Sequence, residues 1–367
     1  MISFIVPVFY KNKNSFIYKR SLELIAKFQN HPKIELIIAD SSYSPKLQAQ
    51  AKNIIIVHTK LHQKTFSLAQ ARNQAVQYAT KKYLFFLDVD MDYSLEFEKL
   101  LFDEIQNKLE TNQLNFFQIP FLYLTPKGTQ LFEKNHQLVT LKESFLKGKT
   151  CLVESISITN PSIVISKQYF QQIGGFDEDF YGHGCEDYIL LHKLAAFNSH
   201  SKRNQDYYTD FKAHFLGDSK GFRKYFAYYS LPYFFKDLIL LHRWHPRPFY
   251  NNFYSRRISN ETLLQSKMKQ FDEDYKGKIW HSTKPLINLK EYITNLMLQH
   301  HYDPKEYPGF FSYAKGVKPP KKSINNKIRK LLTRPKDFFR DIKLFRKQTI
   351  LPNVFTEFKI RFVLEYA

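Results

Sequence analysis

Two aspartates at the end of a short apolar segment have the residue type and spacing to bind a hard divalent cation. Residues 83–87 read Tyr-Leu-Phe-Phe-Leu, which is typical of a strand buried on both faces, and Asp88 and Asp90 come directly after it. In open α/β sheets the carboxyl end of a strand faces the crevice where ligands bind. Carboxylates placed there would hold Mg²⁺ or Mn²⁺, whose other positions are filled by water and phosphate. The alternative is an acidic turn that only closes the strand.

The residues before Asp88 predict the sheet that positions it. Strands are predicted over 2–8, 34–39 and 54–58, and helices over 15–30 and 68–79. This alternation is typical of a doubly wound, mostly parallel α/β sheet with helices on both faces. The polar residues that follow its parallel strands are therefore expected at one edge of the sheet.

Four separated motifs in the first 100 residues carry a resemblance to a known family. They are Val6-Pro7-Val8, Asp40 after the second strand, Ala71-Arg72-Asn73-Gln74-Ala75, and the segment from Lys82 to Asp90. In order and spacing they resemble the nucleotide-sugar domain of family 2 glycosyltransferases, which have the GT-A fold. The nucleotide contacts that the resemblance implies are Pro7, Val8, Asp40 and Arg72. It also implies that Asp88 and Asp90 bind the ribose and the metal. For Arg72 the alternative is a helix residue at the surface.

A second constellation combines glycines with a pair of acidic residues. Residues 174–184 contain four glycines, which let the backbone approach a ligand closely, and Glu186 and Asp187 then begin a predicted helix. The positive end of the helix dipole favours ionised carboxylates at this position. The alternative is that one of the two acids only caps the helix.

The same stretch carries a second resemblance. Residues 173–191 are similar to the Gly-Gly-Phe-Asp-Glu and Gly-x-Gly-x-Glu-Asp signature shared by chondroitin-type bacterial capsule polymerases and the carboxyl-terminal module of galactosyltransferases. The resemblance implies that Asp187 is the general base and that Glu186 binds a sugar. It also implies a metal-binding histidine after this helix, a position that His214 occupies, and imidazole suits Mn²⁺. The alternative for His214 is a packed histidine of a late strand.

The charge of the chain is strongly positive and concentrated towards its end. The 367 residues include 55 Lys and Arg against 34 Asp and Glu, a net charge of +21, which attracts nucleotide sugars, polyanions or anionic membrane. Residues 315–347 hold 13 of the basic residues and two acidic ones. Two cysteines indicate no disulfide framework and fit a reducing cytoplasm. The apolar run 231–241 is too short to span a bilayer.

We predict a catalytic domain over 1–230, with a nucleotide-binding half (1–100) and an acceptor half (101–230), and an aromatic, basic helical region over 231–367. Within the acceptor half, a helix is predicted over 95–109 and a strand over 116–124. Residues 125–149 are interpreted as a loop, either beside the substrate or at the surface. The aromatic residues after 217 would stack on sugars or form a helical core. Apolar residues between 324 and 345 at helical spacing predict basic amphipathic helices, which bind either an anionic membrane or another protein surface.

Together, the two resemblances imply a metal-dependent, inverting glycosyltransferase of hexosyl or N-acetylhexosaminyl type. Its expected donor is a UDP-sugar, and its expected acceptor is a growing bacterial capsular or surface polysaccharide, with a second glycosyltransferase as a possible partner. The expected location is the cytoplasm, at most on the inner face of the membrane. One alternative is a nucleotidyltransferase on a similar sheet, although the chain lacks its glycine-rich loop after the first strand. The other is a basic nucleic-acid-binding protein, although no recognised module of that class is present.

Overall fold

The structure is a computed structural model that describes residues 1–60, 65–246, 253, 256–279, 282–318, 324–333 and 338–339. By its internal contacts the chain divides into two units, residues 1–246 with 252–320, and residues 247–251 with 321–367. The strands are β1 (Ile2–Val8), β2 (Ile34–Asp40), β3 (Ile54–His58), β4 (Tyr83–Phe86), β5 (Met91–Asp92), β6 (Phe116–Gln118), β7 (Phe121–Leu124), β8 (Val153–Ser157), β9 (Ile163–Ser166), β10 (Asp210–Phe211) and β11 (Leu240–His242). The α-helices are α1 (Phe16–Phe28), α2 (Leu68–Tyr78), α3 (Phe97–Glu104), α4 (Pro126–Asn135), α5 (Val139–Leu146), α6 (Lys167–Gln172), α7 (Glu186–Phe197), α8 (Gly221–Phe235), α9 (Arg257–Asp274), α10 (Leu289–Gln299) and α11 (Ile324–Thr333).

A six-stranded sheet forms the centre of the first unit. Its strand order is β3-β2-β1-β4-β9-β6, in which β1 to β4 are parallel and β9 is antiparallel to both of its neighbours. The predicted mostly parallel α/β sheet is therefore confirmed. Val8 lies opposite Asp40 in the register of β1 and β2, and Ile5 lies opposite Phe86 in that of β1 and β4. The residues after β4 therefore share an edge with the ends of β1 and β2.

Both faces of this sheet are covered because the strands alternate their apolar side chains between two cores. Phe4 and Val6 of β1 lie in a core with Phe28 of α1, whereas Ile5 lies in a second core with α2. The side chains that α2 directs into this core are small, which allows the helix to lie close to the sheet. They include Ala69, Ala71 and Ala75. This close packing fixes the position of the other residues of α2.

A second sheet returns a distant part of the chain to the residues after Asp90. Its order is β5-β11-β7-β8, with β11 parallel to β7 and antiparallel to β5. In this register His242 lies opposite Met91, and Leu241 lies opposite Asp92. The residues around 240–245 therefore lie beside the turn that carries Asp88 and Asp90, which the sequence pattern did not indicate.

Two predictions between residues 116 and 149 were wrong. The strand predicted over 116–124 is two strands, β6 and β7, which belong to different sheets and are separated by Ile119 and Pro120. The loop predicted over 125–149 contains α4 and α5. The hydroxyl of Thr125 caps α4 by accepting from the backbone N–H of Gly128. A Cβ at Gly128 would lie 2.0 Å from the Leu152 carbonyl oxygen, so the glycine permits close packing.

The aromatic residues after 217 form the helix α8, which is buried along most of its length. Tyr225, Phe226 and Phe234 are among its fully buried side chains, so this run is a helical core. The proposed boundary between residues 230 and 231 lies inside α8. In the second unit, α11 begins where an amphipathic helix was predicted. Beyond α11, only residues 338 and 339 of that prediction are described, and both are helical. No helix in the described part of the chain is long and apolar enough to cross a membrane.

Candidate active site

A fully buried arginine joins the two acidic constellations. Arg72 of α2 has no exposed surface, and its Nη2 donates to Oδ1 of Asp88 at 2.8 Å. Its Nη1 donates to Oε1 of Glu186 at 3.3 Å. Removal of either carboxylate would leave the buried guanidinium with only one of its two partners, which is costly. The structure thus brings together the residues after β4 and the start of α7, which the sequence related only through family resemblance.

Three side chains on the turn after β4 and the end of β11 form a group that could hold a metal ion. Oδ2 of Asp90 lies 3.2 Å from Nε2 of His242 and 3.3 Å from Nε2 of His245. The potential ligand atoms of the three residues all lie within 4.8 Å of one another. The other oxygen of Asp90, Oδ1, is buried, and no described residue donates a hydrogen bond to it. One carboxylate with two imidazoles fits Mn²⁺ better than Mg²⁺, which prefers oxygen ligands.

The backbone and a charge network hold these histidines beside Asp90. The backbone N–H of Arg243 donates to the Asp90 carbonyl at 3.0 Å, which extends the pairing of β11 with β5. The carboxylate of Asp92 lies within 4 Å of three cations, Arg20, Lys27 and Arg243. These contacts tie α1, β5 and the residue after β11 together, so the distance from the histidines to Asp90 is set by the fold.

His214, the predicted third ligand, lies elsewhere in the structure. Its ring hydrogen-bonds with the hydroxyl of Tyr313 and contacts the ring of Phe215, and the side chain is exposed. It follows β10 rather than lying within it, and it is not among the described residues grouped with Asp90. The histidines that reach Asp90 are His242 and His245. A His-x-x-His spacing over 242–245 was the signal in the sequence, but only the pairing of β11 with β5 relates it to Asp90.

Burial and neighbouring charges shift the pKa values of the two aspartates in opposite directions. Burial raises the pKa of Asp88, and the Asp90 carboxylate adds to this, whereas the Arg72 guanidinium opposes it. Burial also tends to raise the pKa of Asp90, but His242 and His245 outweigh it and hold that pKa far below its usual value. Asp90 is thus ionised, which suits a metal ligand.

The pKa values of both acids at the start of α7 are raised, contrary to the expectation from the helix dipole. Glu186 and Asp187 are 4% and 8% exposed. Burial, followed by the charge of Glu186, raises the pKa of Asp187 to about 8, with Arg72 and Arg223 opposing the shift. Burial likewise raises the pKa of Glu186. Loss of hydration in this pocket therefore outweighs the stabilisation that a helix start provides.

The glycines before Glu186 are required by a tightly bound loop. Gly182 and Gly184 have φ of +72° and +90°, and Cys185 adopts a similar backbone at +84°. The side-chain amide of Asn260 on α9 donates to the carbonyls of Tyr181 and Gly184 at 3.1 and 3.0 Å. Cys185, directly before the acids, has a left-handed backbone conformation that is strained for a residue other than glycine. The surrounding contacts must hold it in this conformation.

The residues implied as nucleotide contacts after β1 and β2 lie at the expected edge, but Asp40, like Arg72, is already engaged within the protein. Pro7 and Val8 are buried at the end of β1. Asp40 is 1% exposed, and its carboxylate accepts from the hydroxyl of Tyr10 at 2.7 Å and the backbone N–H of Ser42 at 3.0 Å. It supports the loops after β1 and β2. Direct nucleotide contacts by these residues stay predictions.

Comparisons with known proteins identify the family of the chain. The family profile described as "Glycosyltransferase like family 2" matches residues 3–270, which is most of the chain. The chain belongs to this family. The GT-A glycosyltransferase fold implied by the sequence motifs is therefore confirmed. A comparison with curated proteins finds no match.

Solved structures show similar but distant folds. TarS from S. aureus, solved as residues 1–349, is 17% identical with a TM-score of 0.35, and the match covers 53% of this chain and 54% of that one. The chain thus spans about half the length of the TarS structure it matches. A mannosyltransferase, PcManGT from Pyrobaculum calidifontis, solved with GDP-Man and Mn²⁺, is 13% identical with a TM-score of 0.37, covering 84% of this chain and 72% of that one.

The shifted pKa of Asp187 predicts how stability depends on pH. Because its pKa of about 8 in the folded protein lies above its ordinary value, the folded protein binds more protons than the unfolded chain between about pH 4 and pH 8. This carboxyl therefore makes the protein less stable as the pH rises through that range. We expect Asp187→Asn to become progressively more stable than the wild type from pH 5 to pH 8, measured by urea unfolding. A stability difference that is independent of pH would contradict the shift.

Proposed function

We propose that the protein is a metal-dependent, inverting glycosyltransferase that moves a sugar from a UDP-sugar to a growing bacterial capsular or surface polysaccharide. The observation that carries the proposal is the Arg72 bridge between Asp88 and Glu186. The bridge fixes Asp88, which neighbours the potential metal ligand Asp90, relative to Glu186 and the adjacent candidate base, Asp187. Family membership supports sugar transfer rather than the two alternatives, nucleotidyl transfer and nucleic-acid binding.

The donor would lie along the carboxyl edge of the parallel strands, against Pro7, Val8 and Asp88. Asp40 would act through the loop that it holds, and Arg72 by orienting Asp88. Asp90, His242 and His245 would hold Mn²⁺, or less readily Mg²⁺. A bound cation supplies Lewis-acid stabilisation of the leaving diphosphate.

Asp187 is the proposed base. Once ionised, its carboxylate would accept the proton of an acceptor hydroxyl, and direct attack of that hydroxyl opposite the leaving diphosphate inverts the anomeric carbon. A base is most effective when its pKa lies near the working pH, and the pKa of Asp187, about 8, meets this condition. Glu186, held by Arg72, would bind a sugar hydroxyl beside it.

The exposed helix α11 supports a location at the inner face of the membrane. Ile328 and Leu332 are 42% and 58% exposed and are four residues apart, so they lie on one face of α11. The basic residues of 315–347 would add attraction to anionic lipids, each by about 1 kcal/mol. The alternative occupant of this face would be a second glycosyltransferase that binds the same helix.

Metal binding tests the ligand group. We expect Asp90→Asn, His242→Ala and His245→Ala each to weaken Mn²⁺ binding by more than the roughly 10- to 100-fold that loss of an outer-shell partner costs, measured by calorimetry. His214→Ala is the matched control and should retain wild-type affinity, because its ring is engaged with Tyr313. Equal losses in all four variants, or none, would remove this site from the proposal.

A donor screen with the Asp187→Asn variant tests the reaction. With a panel of UDP-sugars and a mixed oligosaccharide pool, the wild type should release UDP only when a suitable donor and acceptor are both present. Asp187→Asn should bind the same donor but lower transfer by at least about 100-fold, because the amide cannot accept the proton. A variant that keeps most of the turnover would show that another group is the base.

Vesicle flotation tests the proposed location. The full chain should float with anionic vesicles and not with neutral ones. The double variant Ile328→Ser with Leu332→Ser, which keeps every charge, should float less, and a chain that ends before Ser323 should not float. Equal flotation of all three proteins would contradict the membrane proposal and leave α11 available to a protein partner.

A further inference from the structure

Asn73, the neighbour of Arg72 on α2, holds the backbone of the glycine-rich segment. Its side-chain Nδ2 donates to the carbonyl of Phe176 at 2.9 Å, and its Oδ1 accepts from the backbone N–H of the same residue at 3.1 Å. A single amide thus binds both polar backbone groups of Phe176, as a neighbouring strand would. Nδ2 also donates to Oε1 of Glu178 at 2.8 Å.

The fit between this amide and the segment leaves no space. Gly175, with φ of +61°, lies so close that a Cβ there would be 2.9 Å from Oδ1 of Asn73 and 3.2 Å from the ring of Phe170. A glycine at this position is therefore required both by the backbone angle and by the approach of Asn73.

The residue that Asn73 holds contacts the arginine of the acidic bridge. The ring of Phe176 is 2% exposed, and its centroid lies 5.1 Å from the guanidinium carbon of Arg72. On another side it meets the ring of Phe86, at the end of β4, with centroids 4.9 Å apart. Phe176 is thus packed between Arg72 and the strand that leads to Asp88.

We propose that Asn73 is a positioning residue for the transfer reaction. By fixing the backbone of Phe176 it keeps that ring against Arg72, and Arg72 in turn sets the distance between Asp88 and Glu186. Neighbouring residues of one helix therefore act on the two halves of the site together, Arg72 through charge and Asn73 through the backbone. The kinetic part of this inference rests on the proposed function, whereas its structural part does not.

A purely structural asparagine elsewhere in the chain provides a matched control. The Nδ2 of Asn53 donates to the carbonyls of Phe28 and Ile34 at 2.8 and 3.0 Å, and its Oδ1 accepts from the backbone N–H of Asn30 at 3.1 Å. Ile34 begins β2, so Asn53 lies at the end of the sheet opposite Asp40. Asn53→Ala removes a comparable set of hydrogen bonds away from the candidate site.

The test compares Asn73→Ala, Asn73→Asp and Asn53→Ala in the full chain. Asn73→Asp keeps the acceptor for the Phe176 N–H but places a carboxylate oxygen against the Phe176 carbonyl and Glu178. We expect both Asn73 variants to lower kcat by about tenfold or more, with the aspartate worse. Their Mn²⁺ affinity should stay within about twofold of the wild type, because Asp90, His242 and His245 do not depend on this contact. Adding Glu178→Gln to Asn73→Asp should restore part of kcat, since the new amide can donate to the aspartate.

Hydrogen exchange of the peptide over 173–187 gives a readout that does not require activity. Exchange should become faster in both Asn73 variants and stay unchanged in Asn53→Ala. Unchanged exchange and kcat in Asn73→Ala would overturn the proposal, as would an equal loss of kcat in Asn53→Ala. If the wild type transfers no sugar while exchange responds as expected, the proposed function fails and the structural role of Asn73 stands.

Discussion

The site depends on one buried cation placed between two carboxylates from distant parts of the chain. Arg72 has no contact with solvent and must have its charge balanced inside the protein, which Asp88 and Glu186 do. The bridge also constrains the fold, because α2 can satisfy this guanidinium only if the turn after β4 and the start of α7 converge on it. An ion pair of this kind adds little net stability, and we infer that its role here is to specify one arrangement of the chain.

Charge is distributed unevenly around this bridge. Arg72 faces Asp88 and Glu186 directly, while Asp90 is balanced by His242 and His245, and Asp187 is opposed by Arg72 and Arg223 only at longer range. Among the described residues no cation forms an ion pair with Asp187, and burial raises the pKa of this carboxyl. Asp90, which faces two imidazoles, is held ionised. Asp90 and Asp187 have the same side chain, and their different surroundings suit one to hold a metal and the other to take up a proton.

The parallel part of the sheet could be predicted from the sequence because its signal is local. The strands over 2–8 and 54–58 have the predicted bounds, since each is a short and mostly apolar run. The split of 116–124 into β6 and β7 could not be predicted, because a continuous aromatic run does not show which sheet each half joins. The helix α4 was missed because it contains few apolar residues, and α5 was missed because eight residues are too few to show a helical repeat.

The acidic residues of the site were identified in the same local way, from short motifs at strand and helix ends. The histidines were not, because a histidine becomes a potential ligand only through what lies opposite it. His242 lies beside Asp90 because β11 pairs with β5, and this pairing joins residues far apart in the chain. His214 lies at the expected distance in sequence after Asp187, but its side chain does not lie beside Asp90. The raised pKa of Asp187 could not be predicted from the sequence either, because it depends on burial.

The position of β11 between β5 and β7 has a consequence for folding. These contacts join residues that are far apart in the sequence. Contacts that close such long loops form slowly and therefore late in folding. The nucleotide-side strands can therefore assemble before the histidines arrive, and a nascent chain that stops before residue 240 lacks two of the three candidate ligands. An ion that binds only the completed group would shift the folding equilibrium towards the chain in which both sheets are closed. Binding of the metal ion would then stabilise only those chains in which β11 has paired with β5.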